Sequence, residues 1–355
     1  MTLSATAGAN AKPLELEPPA VIGAPAGTAD SGWEHTACAV CETQSAEAVL
    51  VLPHSDAPRG WTAIVRCTRC GLQRLDPRPG AAMINRYYED DYGAYAGRRR
   101  GRVKQALWEL LRDVSSTAPG WGEHLRPLRP LARRLAAAVF DINVPLEGAQ
   151  PLRVLDVGCG YGDVLRYLQS RGCLVQGVDF DPRAAAHGLQ HGTPIHIGRM
   201  QDLGLPPDSV DVAILCHSLE HLPEPAQTVA ALSRVVKPGG RVHIAVPNGR
   251  AVGLQQEGEG WGALFLPIHF WFFDAAALTA LLGKHGFRVA SVGYATLWRN
   301  HWQLWRSRVR GSGRAAVALQ AWRFCLRSLC DREGGDVVRV TAVKLVSAAG
   351  GVCAV

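Results

Sequence analysis

Four cysteines fall into two tight pairs, Cys38-x-x-Cys41 and Cys67-x-x-Cys70. Each pair presents two thiolates to one ion, and the stretch between them is long enough to fold the second pair back onto the first. Four thiolates in a tetrahedral array suit Zn²⁺, and a site closed on all four positions is structural rather than catalytic. The spacing therefore predicts a structural zinc held by Cys38, Cys41, Cys67 and Cys70. A redox Cys-x-x-Cys would need a thioredoxin-like βαβ setting and would leave the second pair unexplained. Cys159, Cys173, Cys216, Cys325, Cys330 and Cys353 are scattered and read as reduced thiols.

A second cluster is built from glycines and acids. Val154-Leu155-Asp156-Val157 runs into Gly158-Cys159-Gly160-Tyr161-Gly162 and then a helix-like segment, 164–170. This reads as a buried strand, a tight turn and a helix whose free N–H groups face a ligand. The dinucleotide fingerprint needs a glycine at position 163, which here is Asp163. Asp179, about twenty residues on at the end of a second apolar run, is placed to accept hydrogen bonds from two ribose hydroxyls.

The elements that must position these residues follow from pattern. Residues 1–32, rich in Ala, Pro, Gly and Thr, cannot bury enough surface to offset ordering entropy and are expected to form a disordered tail. Residues 33–80 are expected to form a zinc ribbon with strands near 48–52 and 62–65, stabilised by its metal. Residues 81–150 read as a tyrosine-rich segment followed by a basic helical linker or cap. From 151 to 297, and again at 336–348, apolar runs alternate with helical patterns, as buried parallel strands crossed by helices do. Residues 298–335 read as a basic, Trp- and Arg-rich helical insertion, and 349–355 as a C-terminal tail.

The net charge of +7 and pI near 9.0 favour an anionic partner. With no run of 18 apolar residues and no signal-peptide pattern, a cytoplasmic protein without a transmembrane segment is expected. The basic, Trp-bearing segments suit a phosphate-bearing ligand or a peripheral membrane contact, solvated helix faces being the plain alternative.

The stretch from Leu155 to Asp179 resembles the class I methyltransferases, whose loop follows a Gly-x-Gly-x-Gly pattern. The downstream order is similar: Gly198-Arg199-Met200-Gln201, then Asp211 to His217, then Lys237-Pro238-Gly239-Gly240. In similar enzymes the segment before the core folds over the cofactor, and here that segment carries Tyr87, Tyr88 and Tyr92. The resemblance implies an α/β fold, a Rossmann-like seven-stranded sheet with helices on both faces preceded by the ribbon, and S-adenosylmethionine as cofactor. It places the cofactor against Asp156, Gly158, Cys159, Gly160, Gly162, Asp179, Phe180, Met200, Gln201, Cys216 and His217, with Tyr88 folded over it. Many relatives carry an acid where Arg199 stands.

The ribbon followed by Tyr87-Tyr88 resembles a bacterial subgroup that includes methyltransferases of sugar and secondary-metabolite pathways. The expected reaction is therefore methyl transfer to a hydroxyl or carbon of a small acceptor, and a phosphate-bearing acceptor would match the charge. Histidine is the side chain best suited to act as a base at neutral pH, and the resemblance places His217, His221 and His269 near the acceptor. In some quinone-methylating relatives a glutamate and histidine matching Glu220 and His221 assist a metal, which leaves a second ion open here. Two alternatives stand beside this reading. One is a nucleic-acid methyltransferase, disfavoured because Cys216-His217-Ser218-Leu219 replaces the Asn/Asp-Pro-Pro-aromatic run. The other is an inactive module docking to nucleic acid or membrane.

Overall fold

The computed structural model describes residues 32–88, 151–309 and 314–346. The expected N-terminal tail, the basic stretch 98–140, Tyr92 and the C-terminal tail lie outside the described residues.

The N-terminal part contains β1 (Trp33–Glu34), β2 (Ala46–Pro53), β3 (Trp61–Cys67), β4 (Gln73–Asp76) and β5 (Arg78–Pro79). Strands β2 and β3 form an antiparallel hairpin running from Ala46 opposite Cys67 to Pro53 opposite Trp61, and β4 returns along β3. Cys67 ends β3, and Gly71 at φ +80° closes the turn into β4, a conformation that suits glycine. The second cysteine pair therefore sits on a tight turn.

The larger sheet is assembled from β6 (Arg153–Val157), β7 (Leu174–Asp179), β8 (Ile195–Ile197), β9 (Val210–Cys216), β10 (Val236–Pro247), β12 (Phe287–Ala295) and β13 (Val337–Lys344). Its order is β8-β7-β6-β9-β10-β13-β12, parallel except that β13 runs antiparallel to both neighbours. Helices α1 (Asp163–Gln169), α2 (Pro182–Gln190), α3 (Pro225–Val235), α4 (Val252–Glu257) and α5 (Ala275–Lys284) connect these strands.

Alternation along the strands shows why both faces are covered. Val210, Ala213 and Leu215 of β9 pack with Val229 and Leu232 of α3 and Leu278 and Leu281 of α5. Val212 and Ile214 point the other way, into a core with Leu165 and Leu168 of α1. The strand order reverses between β6 and β9, and a crevice at such a switch point, beyond the carboxyl ends of the strands, is where α/β sheets bind ligands.

The cysteine-bearing part does not stand apart from this core. The short strand β11 (Trp271–Phe272) pairs antiparallel with β4, Trp271 opposite Arg74 and Phe272 opposite Gln73, giving a sheet of order β11-β4-β3-β2. Leu75 N donates to Phe270 O at 2.8 Å, Gln73 Nε2 donates to Gly249 O at 2.8 Å, and Lys284 Nζ donates to Val40 O. Cys38, Val40, Cys67 and Leu72 belong to the same hydrophobic core as α3 and α5.

The Trp- and Arg-rich insertion forms two helices, α6 (Trp298–Val309) and α7 (Arg314–Cys330). Among the described residues no helix is long and apolar enough to cross a membrane. A buried charge cluster anchors the insertion. His301 places Nδ1 2.9 Å from Glu257 and Nε2 2.8 Å from Asp336, while Trp261 Nε1 and Leu297 N donate to the same aspartate. Burial works against the charged ring, but the two carboxylates outweigh it and push the His301 pKa from 6.5 up to about 9.

The raised pKa means the imidazolium contributes its full stability below about pH 6.5 and loses it as pH rises through about 9. His301→Ala leaves two buried carboxylates without their cation and should cost about 3–5 kcal/mol at pH 6. Urea denaturation checks this, and the difference from wild type should shrink by pH 9.

Candidate active site

The glycine loop leaves β6 with Gly158, Gly160 and Gly162 all at positive φ, and Gly162 caps the start of α1. A Cβ on Gly158 would overlap the Cβ of Ser218, so the loop is pressed against the segment that follows β9. Asp179, buried at the end of β7, accepts from Gly160 N at 2.8 Å and from Asp181 N at 3.0 Å. Its carboxylate thus holds the loop as well as lying beside the crevice.

A cavity of about 770 Å³ opens here, within the range of small-molecule sites. Gly158, Asp179, Phe180, Met200, Gln201, His217 and Tyr88, all expected at the cofactor, line it, as do Ser218 and His221. Tyr88 packs against Phe180 at 4.7 Å between centroids, and its hydroxyl lies 3.2 Å from His221 Nδ1. Gln201 Nε2 donates to Thr228 Oγ1 at 3.3 Å, and Arg199 pairs with Asp202. A glycine-lined turn, a carboxylate after β7 and an adjacent exposed phenyl ring fit a nucleoside carrying an amino-acid tail.

Other expected residues take different places. Asp156 is buried within β6, and Cys159 turns its thiol toward Gly177, where a Cβ would meet it at 2.6 Å. Burial, with Asp156 and Asp179 nearby, raises the Cys159 pKa, which suits a packing thiol. Neither these two nor Gly160, Gly162, Cys216 and His269 are among the described residues lining the cavity. Tyr87 donates instead to Asp56 at 3.0 Å on the N-terminal part.

Just after β9, the turn Leu219–His221 buries Glu220 completely. His217 Nδ1 is 3.4 Å from Glu220 Oε1, and His217 itself adopts φ +53°. Burial alone would raise the Glu220 pKa, but the pairing with His217 outweighs it and lowers the value, keeping the carboxylate ionised. Burial drives the His221 pKa down and that of His269 to about 3, so both rings stay neutral. His269 Nδ1 donates to Ala263 O at 3.0 Å, leaving Nε2 with the lone pair. Glu220, His221 and His269 each bring a ligand atom within 4.8 Å of the others.

The four cysteines also converge, Cys38 Sγ 3.3 Å from Cys70 Sγ and Cys41 Sγ 3.4 Å from Cys67 Sγ, with all four within 4.8 Å. A tetrahedral ion bonded to sulfur at about 2.3 Å needs sulfur separations of about 3.8 Å. Burial works to raise the Cys67 pKa, but backbone N–H groups of Cys70 and Arg69 outweigh it and bring the thiol to about 7. The donor set fits Zn²⁺.

A methyltransferase-domain family matches residues 122–292. A ubiquinone biosynthesis O-methyltransferase of Xylella fastidiosa (strain 9a5c) is 32% identical over 224 residues, covering 59% of this chain and 87% of that protein. The chain belongs to the S-adenosylmethionine-dependent methyltransferases. A second protein of the same description, from Xanthomonas euvesicatoria pv. vesicatoria, is 28% identical over 60% of this chain and 92% of its own. A methyltransferase structure from Mesorhizobium loti aligns with TM-score 0.41 and 18% identity, covering 61% of this chain and 97% of that one.

The methyltransferase also draws cavity walls from residues that sequence patterns do not single out. Glu34, Thr36 and Arg78 reach the cavity from the N-terminal part. Arg78 is buried against Phe270 and Trp271, at 4.7 and 5.3 Å from their centroids, with Nε donating to Glu34 at 2.9 Å. Its one local signal, an arginine flanked by prolines, reads equally well as a stiff turn. Ser218 carries no signal of its own because its place depends on Gly158.

Gly158→Ala should abolish S-adenosylhomocysteine binding in calorimetry, whereas Gly283→Ala on α5, with ordinary helical backbone and nothing within 4 Å of its Cβ, should retain it. Asp179→Asn should weaken binding about ten- to a hundredfold.

Proposed function

We propose that the methyltransferase moves a methyl group to a hydroxyl oxygen of a small acceptor, with His217 as general base and Glu220 as its orienting partner. The observation that carries this reading is the fully buried Glu220 carboxylate paired to a cavity-lining histidine. Methyl transfer needs the acceptor oxygen in line with the sulfonium carbon. As that bond forms, His217 takes the hydroxyl proton and Glu220 stabilises the resulting imidazolium. The O-methyltransferase names of the relatives support oxygen over carbon. Tyr88, Phe180 and Phe270 on the cavity wall favour a phenolic ring, while a sugar or secondary metabolite is the class expected from the ribbon.

A second reading rests on the Glu220 oxygens, which make no hydrogen bond of ordinary geometry among the described residues. Glu220, His221 and His269 would hold a divalent cation, which supplies Lewis acidity toward a hydroxyl. The cysteines, in this proposal, hold a structural zinc.

With 3,4-dihydroxybenzoate and dTDP-glucose as trial acceptors, mass spectrometry should show a methoxy product from the former. His217→Gln should lower kcat about 10²–10⁴-fold. Loss of turnover in EDTA, restored by Mg²⁺, favours the cation reading; insensitivity to EDTA favours the histidine base alone. Metal analysis should find about one zinc per chain, and none refutes the zinc site.

A further inference from the structure

Residues 298–330 contain seven arginines and no lysine, aspartate or glutamate, a formal charge equal to the +7 of the entire chain. On α7, Leu319, Trp322 and Leu326 are exposed at spacings of three and four, one side of a helix, with exposed Arg323 and Arg327 beside them. On α6, Trp298 and Trp302 are exposed one turn apart, and Arg306 continues that side. Trp302 and Trp322 are each 59% exposed.

The opposite sides are already used. Trp305, Val317 and Phe324 form a buried cluster with Val252, and the Phe324 ring lies 4.0 Å from that of the anchored His301. These helices therefore carry large apolar groups on an outer side after their inner side is packed. Helices apolar on more than one side ordinarily have a second partner.

We propose that α6 and α7 form a docking face for an anionic lipid bilayer. Tryptophan and leucine enter the interfacial layer while arginines meet the lipid phosphates, the pattern of an interfacial amphipathic helix. Nucleic acid would complement the charge but leave Leu319 and Leu326 unmatched. The proposal is independent of the acceptor and of either base reading.

The full chain is sedimented with vesicles of phosphatidylcholine alone or mixed with phosphatidylglycerol. Binding should require phosphatidylglycerol, weaken with salt, and fall about fivefold for each arginine neutralised in Arg323→Gln and Arg327→Gln. Trp322→Ala should also reduce it, with S-adenosylhomocysteine binding retained as the control for folding. Equal binding to both vesicles, no binding, unchanged binding by the variants, or displacement from vesicles by a single-stranded oligonucleotide would each overturn the proposal. A variant that loses cofactor binding is replaced by Leu326→Ser, held to the same outcomes.

Discussion

Two residue pairs, Trp271 with Arg74 and Phe272 with Gln73, join the cysteine-bearing sheet to the methyltransferase core. The cavity depends on this short antiparallel pairing. It brings Glu34, Thr36 and Arg78 over the crevice left by the strand switch, so neither part encloses the site alone. Gly249 permits the approach: a Cβ there would overlap the carbonyl of Phe272. The cysteines share a core with α3 and α5, so a zinc ion at that site would stabilise the cavity wall as well as the turn that carries it.

Electrostatics divide the site in two. The Asp179 carboxylate accepts hydrogen bonds from Gly160 in the glycine loop and from Asp181 at the start of α2, shaping one end. Glu220, wholly buried beside His217, dominates the other end, because an ionised carboxylate without ordinary hydrogen bonds needs a positive partner. The His217 imidazolium, formed when the proposed base takes its proton, and a bound cation are the two candidates for that partner. His221 and His269 remain neutral and sit behind them.

The parallel strands are legible in the sequence because burial on both faces leaves continuous apolar runs: the run 153–157 coincides with β6, and 210–215 falls one residue short of β9. The glycine loop and Asp179 are legible because positive φ and a terminal carboxylate restrict residue choice. Arg78 and Ser218 are not, since each acquires its role from a partner far along the chain. Nor is β11, whose two residues look like part of an aromatic core run until β4 lies beside them. The anchor of His301 by Glu257 and Asp336 likewise joins residues with no common local pattern.

Hydrogen exchange with and without S-adenosylhomocysteine tests most directly whether one cavity is built by both parts. Slowed exchange is predicted in two places at once, the loop 158–162 with the end of β7, and the segment 78–88 of the cysteine-bearing part. Protection confined to the core, with 78–88 exchanging as in the free protein, would contradict a shared cavity.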